Sequence, residues 1–361
     1  MKKWKARAYR LALACLPQPK REFRSGGSVP EGVKRALCRR HAVGAALAVF
    51  GAHGVKGVAV YGSAGSTPVA ENTAFRAASI SKHITALAAF RLHEAGHIDL
   101  DADVDAFLPC SLRHPKAPDT PITLRRLLTH TAGIQDGADY AAACADRRPL
   151  SALMRGDVHT PEFGSFVYSN LGAGIAACAL EGMLGKDFET IMQETLFEPL
   201  HVQATFYPQN VQGPLADACR VLPPRKTLDA ETRRAQPLPP PGPDPERHYL
   251  LSHGNLWISA PELAKLGMEL LKERYAPMRR SAVSFGARDR NLQMGLSTFI
   301  VDASICGKAV YGHQGLAYGA MHGLFYDPAS GRGFALLTTG CSEAREGVLS
   351  DVNKDFIRMV L

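Results

Sequence analysis

Ser79 and Lys82 stand three residues apart at the start of an apolar segment. On a helix this spacing places both side chains on one face, within hydrogen-bonding reach. A serine hydroxyl alone is a poor nucleophile, but a desolvated lysine that has lost its proton can accept the hydroxyl proton. The start of a helix also directs backbone N–H groups toward developing negative charge. The pair therefore favours an acylated serine with lysine as its base.

A serine and a lysine at this spacing also arise by chance about once or twice in a chain of this length, where the serine only caps a helix. Two further motifs argue against that alternative here. Tyr168 and Asn170 follow a turn-like stretch and open a second apolar helix, and His313 and Gly315 end a strand-like run near the C-terminus. Three motifs in this order favour one active site over a lone helix cap at Ser79.

The elements that position these motifs follow from hydrophobic periodicity. "AVGAALAVFG" and "GVKGVAVYG" predict a hairpin, and "ASISKHITALAAFRLHEAGHI" predicts a buried helix that ends at Gly96. Thr123 and Ser259 are expected to cap two further helices. Near the C-terminus, "LQMGLSTFIV", "GKAVYGHQG", "MHGLFYDP" and "GRGFALLTTG" predict consecutive antiparallel strands, followed by a helix over 349–361.

The chain divides by composition into a short tail and one large domain. The predicted tail is 1–28, and the domain is 29–361, with a sheet region from 29–72 and 290–361 and a mainly helical region over 73–289. Eight prolines lie between residues 222 and 247 and predict an exposed excursion or lid without regular elements.

The overall composition excludes several classes of protein. Hydrophobic residues make up 46% of the 361 residues, and no run reaches the roughly eighteen apolar residues of a membrane helix. The net charge of +8 comes largely from clusters in the first ten residues and over 225–234, without a zinc-finger or RNP pattern. We predict solvated basic surface, no nucleic-acid partner, and a small-molecule or peptide substrate.

No metal ion or cofactor is predicted. The eight cysteines contain no C-x-x-C pair and are expected to be buried free thiols. Asp99, Asp101 and Asp103 fit a solvated turn better than a metal site. The chain also lacks H-E-x-x-H, G-x-S-x-G and a dinucleotide-binding glycine motif in its strand context.

The N-terminus leaves two locations open. Lys2 and Lys3 precede "LALACL", as in an export signal, but this apolar stretch is short and is followed at once by proline and basic residues. A reduced cytoplasm is therefore the expectation, with export or lipid attachment at Cys15 as the alternative.

The motifs and their surroundings resemble the penicillin-recognising serine hydrolases, which include the class C β-lactamases, the D-Ala-D-Ala carboxypeptidases and related esterases. The resemblance runs from about Ala42 to the C-terminus and rests on "FRAASISKHITALAAFRL", "IDLDADVDAFLP", "ITLRRLLTHTAGI", "FVYSNLGAGIAACALE", "GNLWISAPELAKLG" and "YGHQGLAYGAMHGLFYDPASGRGFALLTTG". It implies an α/β fold of the α+β type, in which helices flank an antiparallel sheet and a helical region is inserted.

The resemblance also implies roles for the motif residues. Ser79 would be the nucleophile, Lys82 its base, and Tyr168 the group that passes a proton to the leaving group. Asn170 would bind the substrate carbonyl or amide, and His313 stands where many relatives carry a lysine. Because imidazole titrates near a pKa of about 6.5, His313 is expected to make activity depend on pH in that range.

Gly315 and Leu316 complete the implied site. The backbone N–H groups of Ser79 and Leu316 would form the oxyanion hole, and Gly315 would let a substrate lie close to its strand. Leu316 is bulky where relatives usually have a small residue, which argues against strong β-lactamase activity. His130, in "HTAGI", is expected to be structural.

The resulting expectation is a serine hydrolase that cleaves a small ester or a peptide or amide bond through an acyl-enzyme. Two alternatives remain: a catalytically inactive, penicillin-binding-like regulatory protein, and an acyltransferase that uses the same intermediate. The sequence names neither the substrate nor the oligomeric state.

Overall fold

The structure, a computed structural model, describes residues 1–361 except 19, 139, 236–238 and 241. Its strands are β1 (Phe23–Gly27), β2 (Gly44–Gly51), β3 (Gly54–Gly62), β4 (Phe75–Arg76), β5 (Ala204–Thr205), β6 (Ala218–Val221), β7 (Pro224–Leu228), β8 (Trp257–Ile258), β9 (Val283–Ser284), β10 (Leu292–Met294), β11 (Phe299–Val301), β12 (Val310–Ala317), β13 (Ala320–Asp327) and β14 (Arg332–Gly340). Its helices are α1 (Lys3–Ala14), α2 (Val33–Arg39), α3 (Ile80–Glu94), α4 (Leu124–Leu128), α5 (Tyr140–Ala145), α6 (Leu150–Leu153), α7 (Asn170–Leu184), α8 (Phe188–Met192), α9 (Ala230–Ala235), α10 (Tyr249–Ser252), α11 (Ala260–Leu270) and α12 (Asp351–Val360).

The main sheet joins the two ends of the chain. Its strand order is β1-β3-β2-β14-β13-β12-β11-β10-β9, and the strand pairs are antiparallel. The predicted hairpin is β2 and β3, and β2 also pairs with β14, so Ala48 lies opposite Ala335. The chain between β3 and β9 is consequently an insertion, made mainly of helices, and the predicted antiparallel sheet with flanking helices and an inserted helical region is confirmed.

Strand β2 is buried along its whole length because both faces of the sheet are covered. Side chains alternate between the faces of a strand. Ala48 and Phe50 therefore belong to the core that includes α3 and α11, whereas Leu47 and Val49 belong to the core that includes α2 and α12. An apolar residue at every position is the pattern expected of a central strand with helices on both sides.

Helix α3 lies within the larger core, and its side chains are buried on nearly every side. It ends as predicted, since Ala95 follows the last helical residue and Gly96 takes the left-handed conformation with a φ of +75°. The predicted caps Thr123 and Ser259 accept backbone N–H hydrogen bonds at the starts of α4 and α11.

The expected tail is instead folded onto the domain. β1 forms an edge of the main sheet and pairs with β3, and α1 buries Ala6 and Leu13. Arg10 binds Asp351 at 2.8 Å and Glu346 at 2.7 Å. Ion pairs rather than a strong apolar stripe hold α1 in place, so the hydrophobic pattern gave little sign of it.

The proline-rich region also contains more regular structure than predicted. β6 and β7 form a hairpin and α9 follows, with Leu228 and Ala230 buried. At the end of the region, the buried Glu181 carboxylate pairs with the His248 ring and accepts the Asp244 N–H at 3.1 Å. The prediction of an irregular excursion is wrong for these parts, and its residues 236–238 and 241 lie outside the described residues.

The prediction for the strands near the C-terminus needs a smaller correction. "LQMGLSTFIV" forms two short strands, β10 and β11, which pair with each other across a turn. The sheet region also begins before the predicted residue 290, because β9 (Val283–Ser284) pairs with β10. Ser297, in the turn, has a positive φ of +43° and donates its hydroxyl to the Leu128 carbonyl at 2.8 Å, which ties this corner to α4.

Within the described residues, no helix is both long and apolar enough to cross a membrane, and no cluster of three or more His, Cys, Asp or Glu side chains has the arrangement of a metal site. The eight cysteines form no disulfide in this part of the chain, but only Cys178 and Cys341 are fully buried, so the expectation of buried thiols holds for these two alone.

Candidate active site

Ser79 lies at the junction between a strained turn and the start of α3. Ala78, just before it, has a φ of +50°, a left-handed conformation that residues with a side chain rarely adopt. In the described part of the chain, the Ser79 N–H donates to no protein acceptor. The turn thus leaves both the hydroxyl and the backbone N–H of Ser79 available at the positive end of a helix dipole.

Lys82 lies one turn further along α3, with its side chain 1% exposed. Its Nζ is 3.1 Å from Ser79 Oγ and donates to Asn170 Oδ1 at 2.9 Å and to the His253 carbonyl oxygen. Burial lowers the pKa of Lys82 to about 7, against the opposing effect of the Asp136 carboxylate, with Arg76 lowering it further. The amine is therefore uncharged in a large fraction of molecules near neutral pH.

The three partners of Lys82 suit both of its protonation states: the ammonium donates to all three, Ser79 Oγ included, and the uncharged amine can instead accept from the Ser79 hydroxyl. A neutral amine has two N–H groups and one lone pair, and two of its partners, Asn170 Oδ1 and the His253 carbonyl, can only accept hydrogen bonds. Both N–H groups are then used, and the lone pair is left for the Ser79 hydroxyl. This arrangement can draw the hydroxyl proton toward nitrogen.

Asp136 fixes the orientation of Asn170, and its role was missed from the sequence. Its carboxylate accepts Asn170 Nδ2–H at 2.8 Å, the Leu171 N–H at 2.9 Å and the Ser169 hydroxyl at 3.0 Å. Because a carboxylate only accepts, the Asn170 amide oxygen must face Lys82. The signal in the sequence is an acidic residue two positions after "HTAGI". His253 gives no such signal, because it contributes only its backbone carbonyl to the site.

Tyr168 brings a hydroxyl to the other side of Ser79. Tyr168 and Ser79 line the same cavity, and Lys82 Nζ lies 5.3 Å from the centre of the phenol ring. Burial raises the pKa of Tyr168, so the phenol keeps its proton across the neutral range. His130 stacks on Tyr168 with ring centres 4.3 Å apart, and its Nδ1 accepts the Ser169 N–H at 3.2 Å. These contacts are those of a positioning residue.

His313 is buried at the wall of the site, and its environment contradicts the expected titration near pH 6.5. Its ring lies 4.2 Å from Phe299, 6.3 Å from His83 and 6.3 Å from Tyr168, measured between ring centres. Burial, and after it the neighbouring His83 and Lys82, lower the pKa of His313 well below its ordinary value. Nδ1 donates to the Gln314 carbonyl oxygen at 2.7 Å, which makes Nε2 an acceptor in an uncharged ring.

Gly315 and Leu316 lie on β12 beyond the stretch that pairs with β11. A Cβ at Gly315 would lie 2.3 Å from the Ala77 carbonyl oxygen, so glycine allows the strand to pack against the turn before Ser79. The sequence predicts that Gly315 is needed so that a substrate can lie close to its strand. In the structure, Gly315 is needed because the Ala77 backbone carbonyl packs against it. Leu316 faces the site, on the edge of β12 not covered by β11.

One cavity of about 750 Å³ brings the predicted site residues together. Its wall includes five of them: Ser79, Tyr168, Asn170, His313 and Leu316. Lys82 lies behind Ser79, and Gly315 lies between the lining residues Gln314 and Leu316 without itself lining the cavity. The remaining lining combines apolar side chains with the N-terminus and the segment before α12: Met1, Lys2, Lys3, Phe285, Ala287, Phe299, Gln314, Arg345, Gly347 and Val348.

The pKa of Lys82 leads to a prediction about pH. The kcat/KM for a neutral ester is expected to rise with pH through about 7 and to level off above it, because only the uncharged amine accepts a proton and the pKa of Lys82 is lowered to about 7. The measurement is kcat/KM for a p-nitrophenyl ester from about pH 5 to 9.

Two variants identify the group whose titration causes this rise of kcat/KM with pH, which is called the pH limb below. Asp136→Asn removes the carboxylate that raises the pKa of Lys82, so the limb should move to lower pH even if the rate falls. His313→Gln should keep the limb in place, since the ring is already uncharged there. If the pH limb disappeared in His313→Gln and kept its wild-type position in Asp136→Asn, the titrating group would be His313 instead of Lys82.

A nucleophile-type serine, a buried lysine and a tyrosine around one cleft of this fold define a serine hydrolase. A family model described as Beta-lactamase matches residues 26–354, which is most of the chain. The chain belongs to the β-lactamase family, as the motifs indicated.

Individual relatives are more distant. The chain is 28% identical over 157 residues to the D-alanyl-D-alanine-carboxypeptidase/endopeptidase AmpH of Escherichia coli K12, a match that covers 41% of this chain and 39% of AmpH. The curated relatives it matches are covered over less than half of their own length. Among solved structures, EstCE1, a hydrolase with promiscuous acyltransferase activity, superposes with a TM-score of 0.71 at 21% identity over 98% of this chain and 99% of EstCE1. The octameric penicillin-binding protein homologue from Pyrococcus abyssi gives 0.70 at 22% identity over 91% and 74% of the two chains.

Proposed function

We propose that this chain hydrolyses small esters or amides through an acyl-enzyme on Ser79. The observation that carries the proposal is the position of Lys82 Nζ, which lies 3.1 Å from Ser79 Oγ and has Asn170 Oδ1 and the His253 carbonyl oxygen as its other two partners. In the uncharged amine these two acceptors take both N–H groups, and the lone pair is left for the Ser79 hydroxyl. A lysine placed in this way is a base already directed at its nucleophile.

In the acylation step, Ser79 Oγ attacks the substrate carbonyl carbon while its proton passes to Lys82 Nζ. The carbonyl oxygen becomes negative and is stabilised by the N–H groups of Ser79 and Leu316. The tetrahedral intermediate then collapses. The bond to the leaving group breaks, the leaving group takes the Tyr168 phenol proton, and Lys82 returns a proton to Tyr168.

Deacylation repeats these steps with water in place of Ser79. Water gives its proton to the Lys82 and Tyr168 pair as it attacks the acyl carbon, and Ser79 Oγ leaves with a proton. The products are a carboxylic acid and the free enzyme. Asn170, held by Asp136, is placed to bind the substrate carbonyl or amide.

The lining of the cavity supports esters and simple amides over β-lactams as substrates. Phe285, Phe299, Leu316 and Val348 give it an apolar wall, and Leu316 narrows the acyl site where a small residue would leave room. EstCE1, of similar fold, is described as a hydrolase with acyltransferase activity. Acyl transfer is the second candidate, because an alcohol that reaches the acyl-enzyme replaces water without any change in the first step.

The test measures turnover and covalent adducts together. The wild-type protein is incubated separately with a p-nitrophenyl ester, a D-amino acid amide, a penicillin and a fluorophosphonate, and intact mass is recorded beside product formation. We expect ester turnover above amide turnover, slow or no penicillin turnover, and a stable phosphonate adduct. A protein that forms no adduct and turns over none of the substrates would be a binding protein. Ester product formed from added alcohol would indicate acyl transfer.

A further inference from the structure

The mouth of the active-site cavity carries three cationic side chains that the proposed mechanism does not use. Lys2, Lys3 and Arg345 line it together with Ser79, and among the described residues that line it there is no Asp or Glu. The three are called the basic rim below. A cavity with cations and no carboxylate on its wall presents a positive potential to whatever enters.

The basic rim is positioned by the way in which α1 is anchored. Arg10 Nε and Nη2 bind the two carboxylate oxygens of Asp351 at 2.8 and 3.0 Å, and Ala6 is fully buried. This bidentate contact joins α1 to the start of α12 and sets the first residues of α1 at the cavity. Lys2 and Lys3 are therefore held beside the site by a specific contact two turns away.

No carboxylate among the described residues forms an ion pair with the side chains of the basic rim. Lys3 contributes to lowering the pKa of Glu346, but the main cause is the hydrogen bond from Arg10, at 2.7 Å. The rim thus retains positive charge toward the cavity.

One further cation lines the cavity, the Met1 α-ammonium, which donates to the Gly347 carbonyl oxygen at 3.4 Å, and no other cationic side chain is found among the described lining residues. His313, where relatives carry a charged lysine, is an uncharged ring. Lys82 is buried behind Ser79, and its N–H groups are already used. An anionic group on a substrate would therefore be recognised at the mouth rather than beside the strand β12.

We infer that the basic rim of Lys2, Lys3 and Arg345 selects substrates that carry a carboxylate remote from the bond that is cleaved. The inference rests on the proposed function, because it takes Ser79 as the group that attacks the other end of the same molecule. The apolar wall contacts the intervening chain, and the rim neutralises the carboxylate. Since the rim is exposed to solvent, its effect is largest at low salt and falls as ions screen it.

The test compares two p-nitrophenyl esters of the same carbon number, the valerate and the hydrogen glutarate, which differ by a terminal carboxylate. The charge-reversal variant is Lys2→Glu with Lys3→Glu. Its control is Lys5→Glu with Arg7→Glu, which changes the net charge equally on exposed positions of the same helix that do not line the cavity.

At low ionic strength, we expect the Lys2 and Lys3 variant to lose about tenfold in kcat/KM for the glutarate ester and less than twofold for the valerate ester. The control should lose less than twofold for both, and added salt should bring the wild type toward the variant on the glutarate ester. Equal losses on both esters, or equal losses in variant and control, would overturn the inference.

A binding measurement separates this inference from the proposed function. In a Ser79→Ala background, calorimetry gives the dissociation constant of each intact ester with and without the changes at Lys2 and Lys3. A glutarate ester that binds more weakly in the charge-reversed protein supports the rim even if the wild type hydrolyses neither ester. Unchanged binding there, with normal turnover of the valerate ester in the wild type, refutes the rim and leaves the proposed function standing.

Discussion

Replacement of Ser79 with alanine is expected to lower ester hydrolysis by about 10⁴-fold or more and to abolish covalent labelling by a fluorophosphonate. The hydroxyl supplies the atom that forms the acyl bond, and no other side chain at the site offers a nucleophile next to the uncharged Lys82 in the described residues. The hydroxyl contributes little to packing because Ser79 is only partly buried, so the variant should unfold at nearly the wild-type temperature. Steady-state kinetics, intact mass and thermal unfolding on one preparation measure all three.

Ser81 provides a matched control two positions further along. Its hydroxyl is buried and accepts the Leu256 N–H at 3.1 Å, away from Lys82 Nζ. Ser81→Ala should therefore cost about 1 kcal/mol of stability and keep the phosphonate adduct. Wild-type turnover in Ser79→Ala, or an adduct that maps to Ser81, would overturn the assignment.

The elements that the sequence predicts well are those with strong periodicity. The apolar spacing through α3 and the apolar runs of the continuously buried strands β13 and β14 arise from burial, which leaves its pattern in residue type. Gly96 and Ser259 mark boundaries for local reasons that do not depend on the rest of the chain. Such signals survive without knowledge of the tertiary structure.

The elements that were missed are held by contacts distant in sequence. Arg10 anchors α1 to Asp351 and Glu346, which lie more than 330 positions away in the sequence. No local sequence pattern in either segment indicates this ion pairing. The hairpin of β6 and β7 extends into the proline-rich stretch, where Pro224 stands at the first position of β7 and its missing N–H is tolerated. Composition alone suggested irregular structure there.

At the candidate site, spacing predicted which residues meet but not their protonation. Ser79, Tyr168, Asn170 and His313 line one cavity, as their order implied. The charge of His313 depends on Phe299 and on its depth in the fold, neither of which follows from the H-x-G motif. Burial, the cause of the low pKa of His313, is a tertiary property.

The largest remaining effect is expected from the pair formed by Lys82 and Tyr168. Lys82→Met and Tyr168→Phe should each lower kcat/KM by about 10³-fold, since one removes the base and the other the group that protonates the leaving group. Because both side chains lie beside Ser79 and handle the same proton, the double variant should be little slower than the slower single variant. A kinetic double-mutant cycle on one neutral alkyl ester, whose alkoxide leaving group needs that proton, measures the coupling.

The pH profiles of the same variants separate the two roles. Tyr168→Phe keeps Lys82 in its buried environment, so its residual activity should still rise with pH through about 7. Lys82→Met lacks the titrating amine, so its residual activity should be flat across that range. Methionine matches the length of lysine, but it leaves the Asn170 oxygen and the His253 carbonyl without their N–H donor, and thermal unfolding is therefore recorded beside the kinetics. Losses that multiply in the double variant would mean that the two residues act in separate steps. A limb near pH 7 that persists in Lys82→Met would move the base to another residue.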